Sequence, residues 1–318
     1  MPTYLVTGGA GFIGSHIVHE LVTRGERVRV LDNLATGQMD NLASVLDRVE
    51  FHEADVRDLN RILPAFDGAE FVIHLAALSS VAFSMQDPAA SAAVNIGGTV
   101  NALVAARDAR ARRLVFASSA AVYGDNPALP RAESQDPQPL SPYAASKLAG
   151  EYYCRVFTGA FGLDAVPLRF FNIFGPRQDP NSPYSGVLSK FISAYLQGET
   201  PVIFGDGEQS RDFTYVANVV DAVLRACAAP GAAGRAINVG VGSSVTLKQT
   251  VAALNRLFGR EVAPRYAEAR AGDVRHSQAD ITAARAVLGY RPAVSFEDGL
   301  RLTAEWYRAA LAAGAVAR

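Results

Sequence analysis

Runs dominated by Val, Ile, Leu and Phe recur at residues 4–7, 28–31, 49–52, 71–76, 114–118 and 165–170, with longer helix-like stretches between them. Most of these runs are continuous in apolarity rather than alternating, as expected of strands covered on both faces, so the pattern predicts a doubly wound parallel α/β (Rossmann) sheet. After Asn172 the texture changes to loops rich in Gly and Pro, such as Gly175-Pro176 and Gly205-Asp206-Gly207, with shorter helices between them. We therefore expect a dinucleotide-binding domain over 1–171 and a smaller substrate lobe over 172–318, with the apolar stretch 236–240 rejoining the main sheet. In such sheets ligands bind beyond the carboxyl ends of the strands. That rule makes Asp32, Asp55, Ala76, Ala77, Ser118, Ser119 and Asn172 candidates for function.

Composition narrows the classes. The 318 residues are 49 % hydrophobic with a formal net charge of −1, enough for a large core and too balanced to favour nucleic acid or an anionic membrane as partner. No basic, apolar, cleavable leader precedes the first strand and no apolar run approaches the ~20 residues of a membrane span, so a cytoplasmic location is expected. Cys154 and Cys227 lie far apart without ligand-spaced His or Cys neighbours, which supports neither a disulfide framework nor a metal site. An Ala-rich tail from Ala309 is expected to fray.

Two patterns carry chemistry. The first strand runs into glycines at 8, 11 and 14, which permit a tight turn, close approach to a pyrophosphate and a helix packed on the strand; a plain turn before a tightly packed helix would use similar residues. The second strand then ends in Asp32, at the spacing of a carboxylate that accepts both ribose hydroxyls and repels a 2′-phosphate. No arginine follows it, only Asn33 and Leu34, so NAD is favoured over NADP.

The second pattern is Ser141-Pro142-Tyr143-Ala-Ala-Ser-Lys147, a helix start with Ser141 as N-cap and Pro142 in the first turn. Tyr143 and Lys147, four apart, share one helix face. Bringing a phenol from about 10 to near 7 takes roughly 4 kcal/mol. A cation about 5 Å away at an effective dielectric of about 20 gives roughly 3. The helix terminus adds ~0.5 to 1 kcal/mol, so the pair is expected to form a general base for a hydroxyl proton.

With these motifs in order, the chain resembles the extended short-chain dehydrogenases/reductases, and among them the UDP-hexose 4-epimerases of the UDP-galactose and UDP-N-acetylglucosamine type. The match spans Thr7 to Gly14, Asp32 to Leu34, Asp55 to Asp58, His74 to Ala77, Asn95, Ser118 to Gly124, Tyr143 to Lys147, Arg169 to Asn172, Gly205 to Asp212 and Arg270 to Asp273. The resemblance implies NAD held by Gly8, Gly11, Phe12, Ile13, Gly14, Asp32, Asn33, Asp55, Val56, Ala76, Ala77, Asn95 and Lys147. It implies Ser119, Tyr143 and Lys147 as catalytic residues, and Asn172, Val187, Arg211, Arg270, Asp273 and Ser277 around a UDP-sugar, with Ser119 and Tyr143 on the sugar.

The implied reaction is oxidation of the hexose at C4, rotation of the 4-keto sugar, and reduction on its other face. Ser277 stands where epimerases restricted to UDP-glucose and UDP-galactose carry a bulky tyrosine, and the Gln178-Asp-Pro-Asn181 loop resembles that of enzymes acting on N-acetylated sugars. The expected substrates are therefore UDP-N-acetylglucosamine and UDP-N-acetylgalactosamine, with the plain hexose pair also accepted. A UDP-glucuronate 4-epimerase shares the catalytic residues, and Arg177 is a candidate contact for its carboxylate. Sugar-nucleotide dehydratases carry acidic residues where this chain has Ala120 and Ala121, and non-catalytic NAD sensors lose the tyrosine. The family habit implies a homodimer, for which the helices around residues 100–106 and 148–157 are apolar enough.

Overall fold

The computed structural model describes residues 1–179, 186–269 and 274–312. Six strands, β1 (Thr3–Thr7), β2 (Arg27–Asp32), β3 (Val49–Glu53), β4 (Phe71–His74), β5 (Arg113–Ser119) and β6 (Asp164–Phe170), form a parallel sheet with Ile237–Val239 as its seventh member. The spatial order is Ile237–Val239, β6, β5, β4, β1, β2, β3. The order reverses between β1 and β4, and this is where a doubly wound sheet opens a crevice. The centres of β1, β4, β5 and β6 are buried, which is why those runs read as apolar, whereas the edge strand β3 is only partly buried and alternates polar with apolar residues.

Helices α1 (Phe12–Thr23), α2 (Leu59–Phe66), α5 (Gly98–Asp108) and α6 (Pro142–Phe161) cover the sheet with Val216–Ala228, while the short α3 (Val81–Gln86) and α4 (Pro88–Ala92) pack on α6. Two apolar clusters result, one per sheet face: Val6, Val30 and Ile73 on one side, Leu5, Val72 and Leu114 on the other. A π-turn over Ala93–Gly97 joins α4 to α5, so Pro88–Asp108 is one helix long and apolar enough by composition to cross a membrane. The helix packs on α2 and α6, and its buried Ser91, Asn95 and Thr99 hydrogen-bond inside the protein, the behaviour of a core helix.

A second cluster of elements follows β6. Short strands pair locally, Ile173–Phe174 with Thr214–Tyr215, Ser210–Arg211 with Val245–Thr246, and Val202–Phe204 with Arg265–Ala267. Their shared core is aromatic, with Phe213 stacked on Phe296 at 5.6 Å and Phe174 packed edge-on against Tyr215. The helix Phe296–Ala312 includes Ala309 to Ala312, with Ala310 buried, and the rest of the Ala-rich tail, 313–318, lies outside the described residues.

Candidate active site

The glycine turn is dictated by contacts. Gly8 has φ +70°, and a Cβ there would stand 2.8 Å from the Ala76 amide nitrogen; a Cβ on Gly14 would overlap the Gly8 carbonyl oxygen. Gly11, the N-cap of α1, has no capping side chain, so the first N–H groups of α1 are left for an anion. Gly8, Gly11, Phe12, Ile13 and Gly14 line a groove whose far wall is Asp32, Asn33, Asp55 and Val56 and whose floor is Ala76 and Ala77. Ala35, Thr36 and Ser79 also line it, small or hydroxyl residues that no motif marks.

Asp32 is held by backbone: its carboxylate accepts from Ala10 N at 3.0 Å and Leu34 N at 2.9 Å. Burial pushes its pKa up while those N–H groups pull it down. Asp55 is fixed by Arg57, through Nε and Nη2 at 2.9 and 2.8 Å, and by the Asn33 amide; the Arg57 bonds hold its carboxyl far below the usual range.

Beneath the floor runs a relay. The Ala76 N–H reaches Thr7 Oγ1, Thr7 Oγ1 lies 2.7 Å from His74 Nδ1, His74 Nε2 lies 3.1 Å from Thr99 Oγ1, and Thr99 donates to the Asn95 carbonyl at 2.6 Å. Because Thr99 spends its proton on Asn95, the consistent assignment is a neutral His74 that donates from Nε2 and accepts from Thr7 at Nδ1. Burial holds the His74 pKa down to about 3. Asn95 departs from its expected place. Its amide brackets Leu78, receiving from Leu78 N at 2.8 Å and donating to Leu78 O at 3.1 Å, and it also donates to Ser146. It thus shapes the groove from behind and does not line it.

Helix α6 begins as expected, with Ser141 Oγ accepting from Ala144 N at 3.1 Å and Pro142 in the first turn. The helix is anchored at Glu151, which takes two bonds from the buried Arg169, at 2.9 and 2.7 Å, and one from Ser118. Ser118 is therefore a structural hydroxyl facing the core; Ser119, one residue on, faces the cavity. Lys147 shares the face of Tyr143, its ammonium 5.9 Å from the phenol ring centre and 2.9 Å from the Ala117 carbonyl.

The electrostatic expectation for this pair needs correction. Burial pushes the Tyr143 phenol up, with the Ser119 hydroxyl pulling the other way, and burial lowers Lys147 to about 8. The charge-pair arithmetic left out dehydration, which opposes both ions in this enclosed place.

A second cavity of ≈ 700 Å³ brings Ser119, Tyr143, Asn172, Val187, Arg211 and Ser277 together, with Ala120 and Ala121 beside Ser119. Arg270 and Asp273 lie outside the described residues, as do Pro180 and Asn181. Arg177 lines a different cavity, with Gly11, Phe12 and Ser79, so it faces the cofactor groove rather than the reacting end. Arg131, which no motif flagged, is in the substrate cavity. Its backbone N–H donates to Gln278 O at 2.8 Å, a long-range pairing invisible to local patterns. Gln178 lines both the Arg177 cavity and the substrate cavity, so the two adjoin at that residue.

The model of the NAD dependent epimerase/dehydratase family matches residues 4–240. The chain belongs to that family. It is 42 % identical over 309 residues to the UDP-glucose 4-epimerase of Mycolicibacterium smegmatis, covering 96 % of this chain and 98 % of that one. A crystal structure of UDP-glucose 4-epimerase with UDP-glucose from Thermotoga maritima superposes with TM-score 0.93 at 39 % identity, over 97 % of this chain and 99 % of that one. UDP-N-acetylglucosamine 4-epimerase from Methanobrevibacter ruminantium, in complex with UDP-N-acetylmuramic acid, gives 0.92 at 40 %, over 97 % and 98 %. The protein is an NAD-dependent UDP-sugar 4-epimerase in this family, and its glycine cradle, uncapped helix and Asp32 fit that cofactor.

Proposed function

We propose that this epimerase interconverts UDP-N-acetylglucosamine and UDP-N-acetylgalactosamine and also accepts UDP-glucose and UDP-galactose. Ser277 carries the reading: a small residue on the wall of the cavity that holds Ser119 and Tyr143 leaves room for a 2-acetamido group. Residue size decides admission where packing is close. The name of the Methanobrevibacter relative supports it.

NAD, when bound, supplies the hydride acceptor and donor for C4. Tyr143 takes the proton of the 4-hydroxyl and later returns it from the same helix start, while Ser119 holds the sugar oxygen and Lys147, fixed by the Ala117 carbonyl, orients the pair. The alanines at 120 and 121 offer no acid for water elimination, which favours epimerisation over dehydration.

Ser277→Tyr is the test. It should abolish turnover of the acetylated pair while sparing UDP-galactose, read by chromatographic separation of the products; loss of both reactions, or of neither, would overturn the assignment.

We further infer a homodimer in the cytoplasm. Tyr152, Tyr153, Val156 and Phe161 leave a row of apolar side chains on the outer face of α6 exposed, as an interface would require, and both cysteines are unpaired and buried. Light scattering should give twice the chain mass, falling to a monomer in Val156→Glu, and cell fractionation should place activity in the cytosol; a wild-type monomer or exported activity contradicts the respective point.

A further inference from the structure

The substrate cavity contains a cation that the reaction described above does not use. Arg131 is 3 % exposed, and among the described residues its side chain makes one hydrogen bond, from Nη1 to the Ala128 carbonyl at 3.2 Å. It pairs with no carboxylate among the described residues. Asp125 and the phenol of Tyr123 act on it through space, opposing the burial that lowers its pKa. The other buried arginines are treated differently: Arg169 has Glu151, and Arg113 has Asp164 together with three carbonyls. The nitrogens sealed without a partner among the described residues belong to Arg113, Arg169 and Arg177, and none to Arg131; the remaining donors of Arg131 keep contact with solvent, where a ligand can reach them.

Its position selects the ligand. The Arg131 backbone is bonded to Gln278 and Asp280, just past Ser277, and its side chain shares a cavity with Ser119, Gly124 and Tyr143. That is the reacting end. In a UDP-hexose the diphosphate hangs from C1, across the ring from C4, so the group near Tyr143 is the far side of the sugar, including C6. A planar, permanently charged fork there matches a carboxylate in two-point geometry, whereas a neutral hydroxymethyl would leave it underbonded.

We propose that Arg131 recognises a C6 carboxylate, making a UDP-2-acetamido-hexuronate a substrate of this enzyme, and preferred over the neutral UDP-N-acetylhexosamine. The inference rests on the reading that this cavity takes the hexose and that Ser277 admits the acetamido group. The C4 chemistry is unchanged; the carboxylate is held and not altered.

The experiment measures kcat/KM for UDP-N-acetylglucosamine, UDP-N-acetylglucosaminuronate and UDP-glucuronate with wild type, Arg131→Met and Arg131→Lys. The expected result is that the ratio of acidic to neutral acetylated sugar falls on the order of 10- to 100-fold in Arg131→Met, the range for a charged hydrogen bond, with partial recovery in Arg131→Lys. A purely structural role would lower every substrate together and leave that ratio unmoved, which overturns the proposal even in a poorly folded variant. Turnover of the neutral acetylated sugar with none of either uronate also overturns it while leaving the function above intact. Arg131-dependent turnover of UDP-glucuronate with no acetylated sugar accepted supports the carboxylate contact and sinks the acetamido reading instead.

Discussion

The cofactor groove and the substrate cavity meet at Gln178, yet they are built on opposite principles. Under the groove the polar groups that shape it are paired within the protein, Asp32 with two N–H groups, His74 with two hydroxyls and Asn95 with both ends of Leu78, and Arg177 at its Gln178 end is the exception, with Nη1 buried and unpartnered among the described residues. Around the cavity Arg131 and Tyr143 keep donors unspent or face a dehydration cost. Paired polar groups define shape, and underpaired ones await a partner. The difference separates side chains that build the site from side chains that act in it.

Tyr143→Phe is the sharpest way to break this contrast and has the largest expected effect. Removing only the hydroxyl should cut turnover on the order of 100-fold or more, because a positioned general base commonly contributes ~10² to 10⁴. Stability should hardly move, since a phenol pushed up by burial gives the fold little in its charged form. Bound NAD should persist as well. Near-normal turnover in the variant would take Tyr143 out of the chemistry and erase the contrast with His74.

The same contrast explains what could be read in the chain beforehand. The six apolar runs and the glycine turn were legible because backbone geometry is encoded locally: Gly8 and Gly14 are required by contacts with neighbours in the same βαβ unit or the adjoining strand. Asp32 was legible for the same reason. Arg131 was not, because its meaning depends on a pairing with Gln278 across 147 positions (278 − 131) of chain and on carboxylates that fail to reach it. The relay had no signature either. Thr7, His74 and Thr99 are ordinary residues until the sheet register sets Thr7 beside His74. Sequence position makes Ser118 a strand-end candidate and Asn95 a cofactor candidate, but it does not give the direction in which either side chain points.

A smaller effect, on stability rather than rate, sharpens the comparison from the groove side. The folded protein holds His74 neutral with its pKa near 3, against about 6.5 in the unfolded chain. Between these values the unfolded state binds more protons, so this contribution is fully present above about 6.5 and is lost as pH falls toward 3. From pH 7 to pH 5 the loss attributable to His74 is about 2 kcal/mol. His16, lowered to about 4, adds in the same direction, and Asp212, raised to about 6 by burial, opposes them. Both cancel when a His74→Asn variant is compared with wild type, because the substitution removes one titration and leaves theirs. Asn keeps a donor and an acceptor for Thr99 and Thr7. Urea unfolding at the two pH values should therefore show the variant less stable than wild type at pH 7 but losing about 2 kcal/mol less on acidification. Equal losses in the two proteins would mean that His74 takes up a proton without unfolding, so that the relay is not the closed, self-satisfied network its distances describe.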